Sequence, residues 1–272
     1  MDHIIASSGL RLSYLCDRLT IQKLDVQKIL DDLAEPETRY ALCGWFARVS
    51  LMDFDHVVLA TNHSERHVAM LAANDGNTLH GPYLDLRAAI AISAMRGSKL
   101  MRRLLAYAVS RVSCLGTTPR AIAARTSVPA CYRLLSLFSN SIPGARVFPE
   151  PDALTVDLGR ARLARDIANR SAPQLEYESG TGTIKRARMA SATCFARKTG
   201  TDPVLDAMFE RNLGSSDQMM VVVDMRGCDE ATIEAGTRAM VRSRWKVSVL
   251  SMESVAPSSA SRIGCRKPTL TA

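Results

Sequence analysis

Four cations and a glycine crowd into one short run, Arg96-Gly97-Ser98-Lys99-Leu100-Met101-Arg102-Arg103. The residues after it are helical in pattern, so this run is the start of a helix. A helix start offers free backbone N–H groups and the positive end of a dipole. Lysine and arginine oppose that field unless an anion shares the place, and the chemistry they suit together is the holding of a phosphate. Amides from Gly97 to Met101, the side chains of Arg96, Lys99, Arg102 and Arg103, and the lead-in residues Ile92 and Ser93 are the candidate phosphate binders. The plainer alternative is a basic helix start facing water.

A second candidate is Tyr132, in Ser127-Val128-Pro129-Ala130-Cys131-Tyr132-Arg133-Leu134-Leu135. A phenol can donate a proton to a leaving group, and it can equally be a packing residue with a satisfied hydroxyl. Cys131 reads as a buried structural thiol, with no histidine close in sequence. Glu65, Asp75 and Asp85 sit near the strands before the basic turn, but none stands out as a base, and Asp85 reads as a solvated strand end. His63-Ser64-Glu65-Arg66-His67 lacks the His-Glu-x-x-His order of a helical zinc site and reads as a solvated turn. Gly180-Thr181-Gly182-Thr183-Ile184-Lys185-Arg186 lacks phosphate-loop spacing and reads as a solvated basic loop.

The elements that must position these residues follow from periodicity. Residues 86–93 form a short apolar run, expected to be a buried strand. Leu100, Met101, Leu104, Leu105, Ala108 and Val112 recur at helical spacing, and Gly116 supplies a stop. Residues 120–124 are a second interior strand, and Ser127 and Pro129 open a helix with Leu134, Leu135 and Phe138 on its apolar side. Upstream, residues 10–33 read as helical, with strands expected at 44–51, 56–61 and 67–73. Downstream, strands are expected at 145–148 and 153–158. A helix at 160–170 and a polar stretch at 176–200 come next. A helix carrying Val204, Leu205, Met208 and Phe209, a strand at 219–223, a helix at 230–244 and a strand at 246–251 follow.

Composition bounds the function classes. A 272-residue chain with 47% hydrophobic residues can bury a substantial core. The formal net charge of +8 favours acidic partners such as phosphorylated cofactors or nucleic acid. Its basic residues are scattered, which favours a soluble basic surface over a nucleic-acid footprint. Seven cysteines, with no C-x-x-C pair, indicate neither a zinc knuckle nor a disulfide framework. Neither a signal-peptide pattern over residues 1–19 nor a long apolar run is apparent, so a cytoplasmic protein without membrane association is expected.

The order strand, Arg-Gly turn, helix, strand, tyrosine-bearing helix resembles the core of the GNAT acyltransferase superfamily, and the resemblance covers residues 10–158. In that family the turn usually reads Arg/Gln-x-x-Gly-x-Gly/Ala and its amides hold the pyrophosphate of an acyl-coenzyme A. Here Arg96 matches, while Lys99 and Met101 stand where glycine and a small residue are expected. The resemblance implies an α/β fold with a mixed, largely antiparallel central sheet flanked by helices. The resembling core is taken as 1–160; the helix-strand order after it predicts a smaller α/β extension at 161–256, as a subdomain or as added strands of the first sheet, and the Ser-rich, basic composition of 257–272 predicts a disordered tail. The resemblance also implies acetyl-CoA or another acyl-CoA as co-substrate, no metal, an amine acceptor that attacks the thioester directly, and Tyr132 as the general acid. Ile92, Ser93, Arg96, Gly97, Ser98, Lys99, Leu100, Met101 and Arg102 are the implied coenzyme-binding residues. Because the usual glycines are replaced, a non-catalytic scaffold is one alternative. Nucleic-acid binding through Lys185, Arg186, Arg188 and the tail is another. A basic protein favours an acidic or small neutral acceptor over a polycation.

Overall fold

The computed structural model describes residues 2–5 (backbone only), 9–36, 38–151, 153, 155–187 and 202–242. The expected strand at 246–251 and the tail lie outside them. In chain order the elements begin with β1 (Asp2–Ile5), β2 (Arg11–Leu15), α1 (Arg18–Gln22), α2 (Val26–Leu33) and α3 (Arg39–Phe46). The meander β3 (His56–Thr61), β4 (His67–Thr78) and β5 (Gly81–Ala91) follows, then α4 (Leu100–Cys114), β6 (Ala121–Thr126), α5 (Pro129–Ser139) and β7 (Arg146–Phe148). The chain continues through α6 (Leu158–Ser171), β8 (Tyr177–Glu178), β9 (Thr183–Ile184), α7 (Pro203–Asn212), β10 (Gln218–Asp224) and α8 (Glu230–Arg242).

Among the described residues the strands make one mixed sheet in the order β1-β2-β3-β4-β5-β6-β10-β9-β8, with β7 also on β10. Its pairings are antiparallel except β5 with β6. On one face α4 and α5 bury Leu104, Leu105, Leu135 and Phe138 with Leu84, Leu86, Ile122 and Val221. On the other face α2 and α3 cover Val57, Leu59, Met70 and Ala72. Farther along that face, α6 covers Tyr83, Ala121, Ala123, Met220 and Val222. Helices therefore flank a largely antiparallel sheet, as expected.

Several sequence expectations need correction. Residues 10–33 are not one helix: Leu12 and Tyr14 alternate inward in β2. Asp17 then accepts from the Leu19 and Thr20 amides, and Asp25 from the Lys28 amide, so two caps start two separate helices. Residues 44–51 are not a strand. Ala41, Leu42, Trp45 and Phe46 fall at helical spacing in α3, and the Trp45 ring stacks on Phe54 at 6.0 Å. Nor do the described residues of 153–158 form a strand, because Asp157 caps α6 by accepting from the Arg160 amide. The strand beside β7 comes from much later in the chain: β10 lies between β6 and β7, pairing Val222 with both Ala123 and Phe148. Its five buried residues, Met219 to Val223, suit a central position with helices on both faces. β10, from the region after residue 160, is thus a strand of the same sheet as β6 and β7.

Candidate active site

β5 and β6 are paired only over residues 83–86 and 121–124, whereas β5 runs on to Ala91. Parallel strands that part at their carboxyl ends leave a crevice, and the basic turn follows directly from β5. A bulge helps them part: Leu86 faces Ala73 and Ala88 faces Ala72, leaving Arg87 as the extra residue.

In the turn, Ser93–Met95 is a short 3-10 segment and Lys99 is the N-cap of α4. Gly97 lies at φ 78° and Lys99 at φ 64°. The second value is the left-handed conformation that favours glycine. Lys99, which stands where the resemblance expects glycine, thus adopts a glycine-like backbone. The amides of Gly97, Lys99, Met101 and Arg102 donate to no backbone carbonyl among the described residues. The side chains of Lys99 and Arg102 have no ion pair there either. Donors and cations therefore remain available at the helix start, and these are what a pyrophosphate needs.

Other members of the expected set are already engaged. The Ile92 amide donates to the Val68 carbonyl at 3.1 Å. Glu35 accepts from the Ser93 amide and, at 2.9 Å, from the Arg96 guanidinium, so a carboxylate already sits on the near side of the turn. Ser98 Oγ donates to the Met95 carbonyl and accepts from the Leu100 amide. Leu100 is buried and Met101 packs against the core. Arg103 turns inward, contrary to expectation: it is buried and donates to the Val241 carbonyl at 2.7 Å, tying α4 to the end of α8.

Tyr132 is buried on α5. Its hydroxyl donates to the Pro149 carbonyl at 2.6 Å and its ring meets Phe209 edge-on at 6.3 Å. Pro149 is also a wall of a crevice of about 260 Å³ that includes Thr155, Arg160, Met208 and Arg211 and none of the turn residues. Burial pushes the neighbouring Cys131 thiol up to about 11, as befits a structural thiol.

The residue that the sequence reading passed over is Asp85. It is not a solvated strand end: it is 6% exposed, inside β5, with Asn74 on one side and Ala123 on the other. Tyr83, two residues back, faces α6, and Ala72, on the same side of β4 as Asn74, lies under α2 and α3. Asp85 therefore sits at the seam between the two helical covers. Its Oδ2 accepts from Arg87 at 3.1 Å, and its buried Oδ1 has no hydrogen-bond partner among the described residues. Burial raises its pKa, with Arg87 and Arg125 acting against the shift. Arg125 follows Ala123 by two residues, so it shares that face. The detectable signal was a carboxylate between two leucines, Leu84-Asp85-Leu86, in a run that must be buried.

The other basic and histidine motifs are spoken for. Lys185 lies 3.6 Å from Glu178 and 3.5 Å from Asp217, whose carboxylate also accepts from the Arg186 amide. Arg188 lies outside the described residues. His67 Nδ1 is 2.7 Å from Asp32 Oδ2. No described helix is long and apolar enough to cross a membrane.

No family model matches the chain, and no curated protein matches it. Solved structures similar to it include GNAT acetyltransferases. One is a GNAT family N-acetyltransferase from Escherichia coli in complex with CoA, at 13% identity and a TM-score of 0.32, covering 48% of this chain and 70% of that one. Another is Naa50 of Arabidopsis thaliana with a bisubstrate analogue, at 12% and 0.32, covering 79% and 97%. A third, a GNAT acetyltransferase from Staphylococcus aureus, stands at 14% and 0.31, covering 52% and 88%.

Proposed function

We propose that the chain is a GNAT-type N-acyltransferase that moves an acyl group, most simply acetyl, from acyl-coenzyme A to an amine. One observation carries the reading. A helix start whose amides and cations have no partners among the described residues follows directly from the strand that carries a buried, half-satisfied carboxylate, where two parallel strands part. The acyl-CoA supplies an activated thioester, and its phosphates fit the amides of Gly97, Lys99, Met101 and Arg102 together with the Lys99 and Arg102 side chains.

In the reaction the amine nitrogen attacks the thioester carbonyl carbon. A C–N bond forms, the C–S bond breaks, and the products are an amide and the free thiol. Asp85 takes the proton that the amine must lose, a task suited to a carboxylate whose pKa burial has raised. The leaving thiolate must take up a proton; Tyr132, the donor that the resemblance implies, already spends its O–H on the Pro149 carbonyl, so the proton comes from solvent unless that bond is released. The test is thiol release from acetyl-CoA in the presence of a panel of amines. Amine-dependent release supports the reading. A folded protein that neither binds nor consumes acyl-CoA returns it to the scaffold alternative.

A further inference from the structure

The seam around Asp85 carries more positive charge than that carboxylate can balance. Arg87 pairs with Asp85, but no group among the described residues pairs with Arg125. Burial, and after it the neighbouring Arg87, hold the Arg125 guanidinium below its ordinary pKa. The only opposing charge acting on it is Asp85, which it shares with Arg87 and with which it forms no ion pair among the described residues. Guanidinium presents a planar fork that matches a carboxylate with two parallel hydrogen bonds. Alongside it, the buried and unpartnered Oδ1 of Asp85 is an acceptor without a donor. An unpaired guanidinium and a half-paired carboxylate on one face are complementary to a molecule with both charges.

We propose that the acceptor is a small amine that also carries a carboxylate, an amino-acid-like compound, with Arg125 and Arg87 on its carboxylate and Asp85 at its amino group. This rests on the acyl-transfer reading above and assigns the substrate class of that same site. Two arginines on one face also repel polycationic amines, so selection works against them as well as for the amino acid.

The experiment uses the full chain with acetyl-CoA and amines matched in pairs, each amino acid beside its own α-amide, with thiol release as the readout. The expected kcat/KM for the acid exceeds that for the amide by about 100-fold, as for a buried charged group left unpaired by the wrong ligand. In Arg125→Gln that preference collapses, while acetyl-CoA affinity measured by calorimetry is unchanged; Arg125→Lys restores part of the preference and guards against a folding artefact. Equal use of acids and amides, or an undiminished preference in Arg125→Gln, overturns this inference and leaves acyl transfer standing. Absence of acetyl-CoA binding in the wild-type protein, or binding with no amine turned over, overturns both.

Discussion

The fold treats the buried hydroxyl of α5 and the buried carboxylate of β5 in opposite ways. Tyr132 is fully accommodated, with its ring against Phe209 and its proton on a backbone carbonyl. Asp85, also enclosed, has one oxygen without a hydrogen-bond partner among the described residues and sits beside Arg125, which forms no ion pair among them. A buried polar group with all its bonds made is sufficiently explained by stability. One left short of a donor costs free energy that folding alone does not recover. The unsatisfied carboxylate is therefore the better place to look for chemistry, although the tyrosine was the easier of the two to notice in the sequence.

The largest effect that would sharpen this contrast is Asp85→Asn, which should lower kcat/KM by about 10²–10⁴-fold. The wild-type pH profile should show an acid limb above the ordinary aspartate value of about 3.9, and the variant should lose it. The stability sign is fixed by the same shift. A raised native pKa means the folded state binds the proton more tightly, so Asp85 favours folding below its unfolded pKa and that contribution is lost as pH rises through the folded value. Asp85→Asn should accordingly be more thermostable than wild type at neutral pH. Full turnover in this variant would end the claim for Asp85.

Tyr132→Phe should behave differently, leaving the Pro149 carbonyl without its donor at a cost of about 1–3 kcal/mol in thermal unfolding. If turnover changes by less than about tenfold, the contrast holds. A hundredfold loss at unchanged coenzyme affinity would instead make Tyr132 the acid and break it. The smallest effect belongs to Lys99→Gly, where relief of a left-handed lysine should stabilise the protein by about 1 kcal/mol. Denaturant unfolding would detect it, and a destabilised variant would mean that the Lys99 side chain supports the turn.

The elements that position the site were largely legible. The leucine stripe of α4, the apolar runs of β4 and β6 and the proline at the start of α5 are set by local spacing, although the N-cap of α5 is Val128, with no side-chain cap, and not Ser127. The basic turn was legible as well, because cations at a helix start violate a local rule. Pairings between distant segments were not, since nothing in the run 219–223 says that it will lie between β6 and β7. The partners of Tyr132 and Arg103 were hidden for the same reason: Pro149 and Val241 are reached only through the tertiary fold. Asp85 was misjudged because its burial depends on two helical covers, α2 with α3 and α6, that meet around it from opposite directions in the sequence.

Calorimetric titration of acetyl-CoA into the wild-type protein and the Lys99→Glu/Arg102→Glu variant tests the central claim most directly. The account predicts saturable binding to the wild type, weakened at least about 100-fold by reversing the two unpaired charges. Equal affinity in the two proteins, or no binding to a folded wild type, would contradict it.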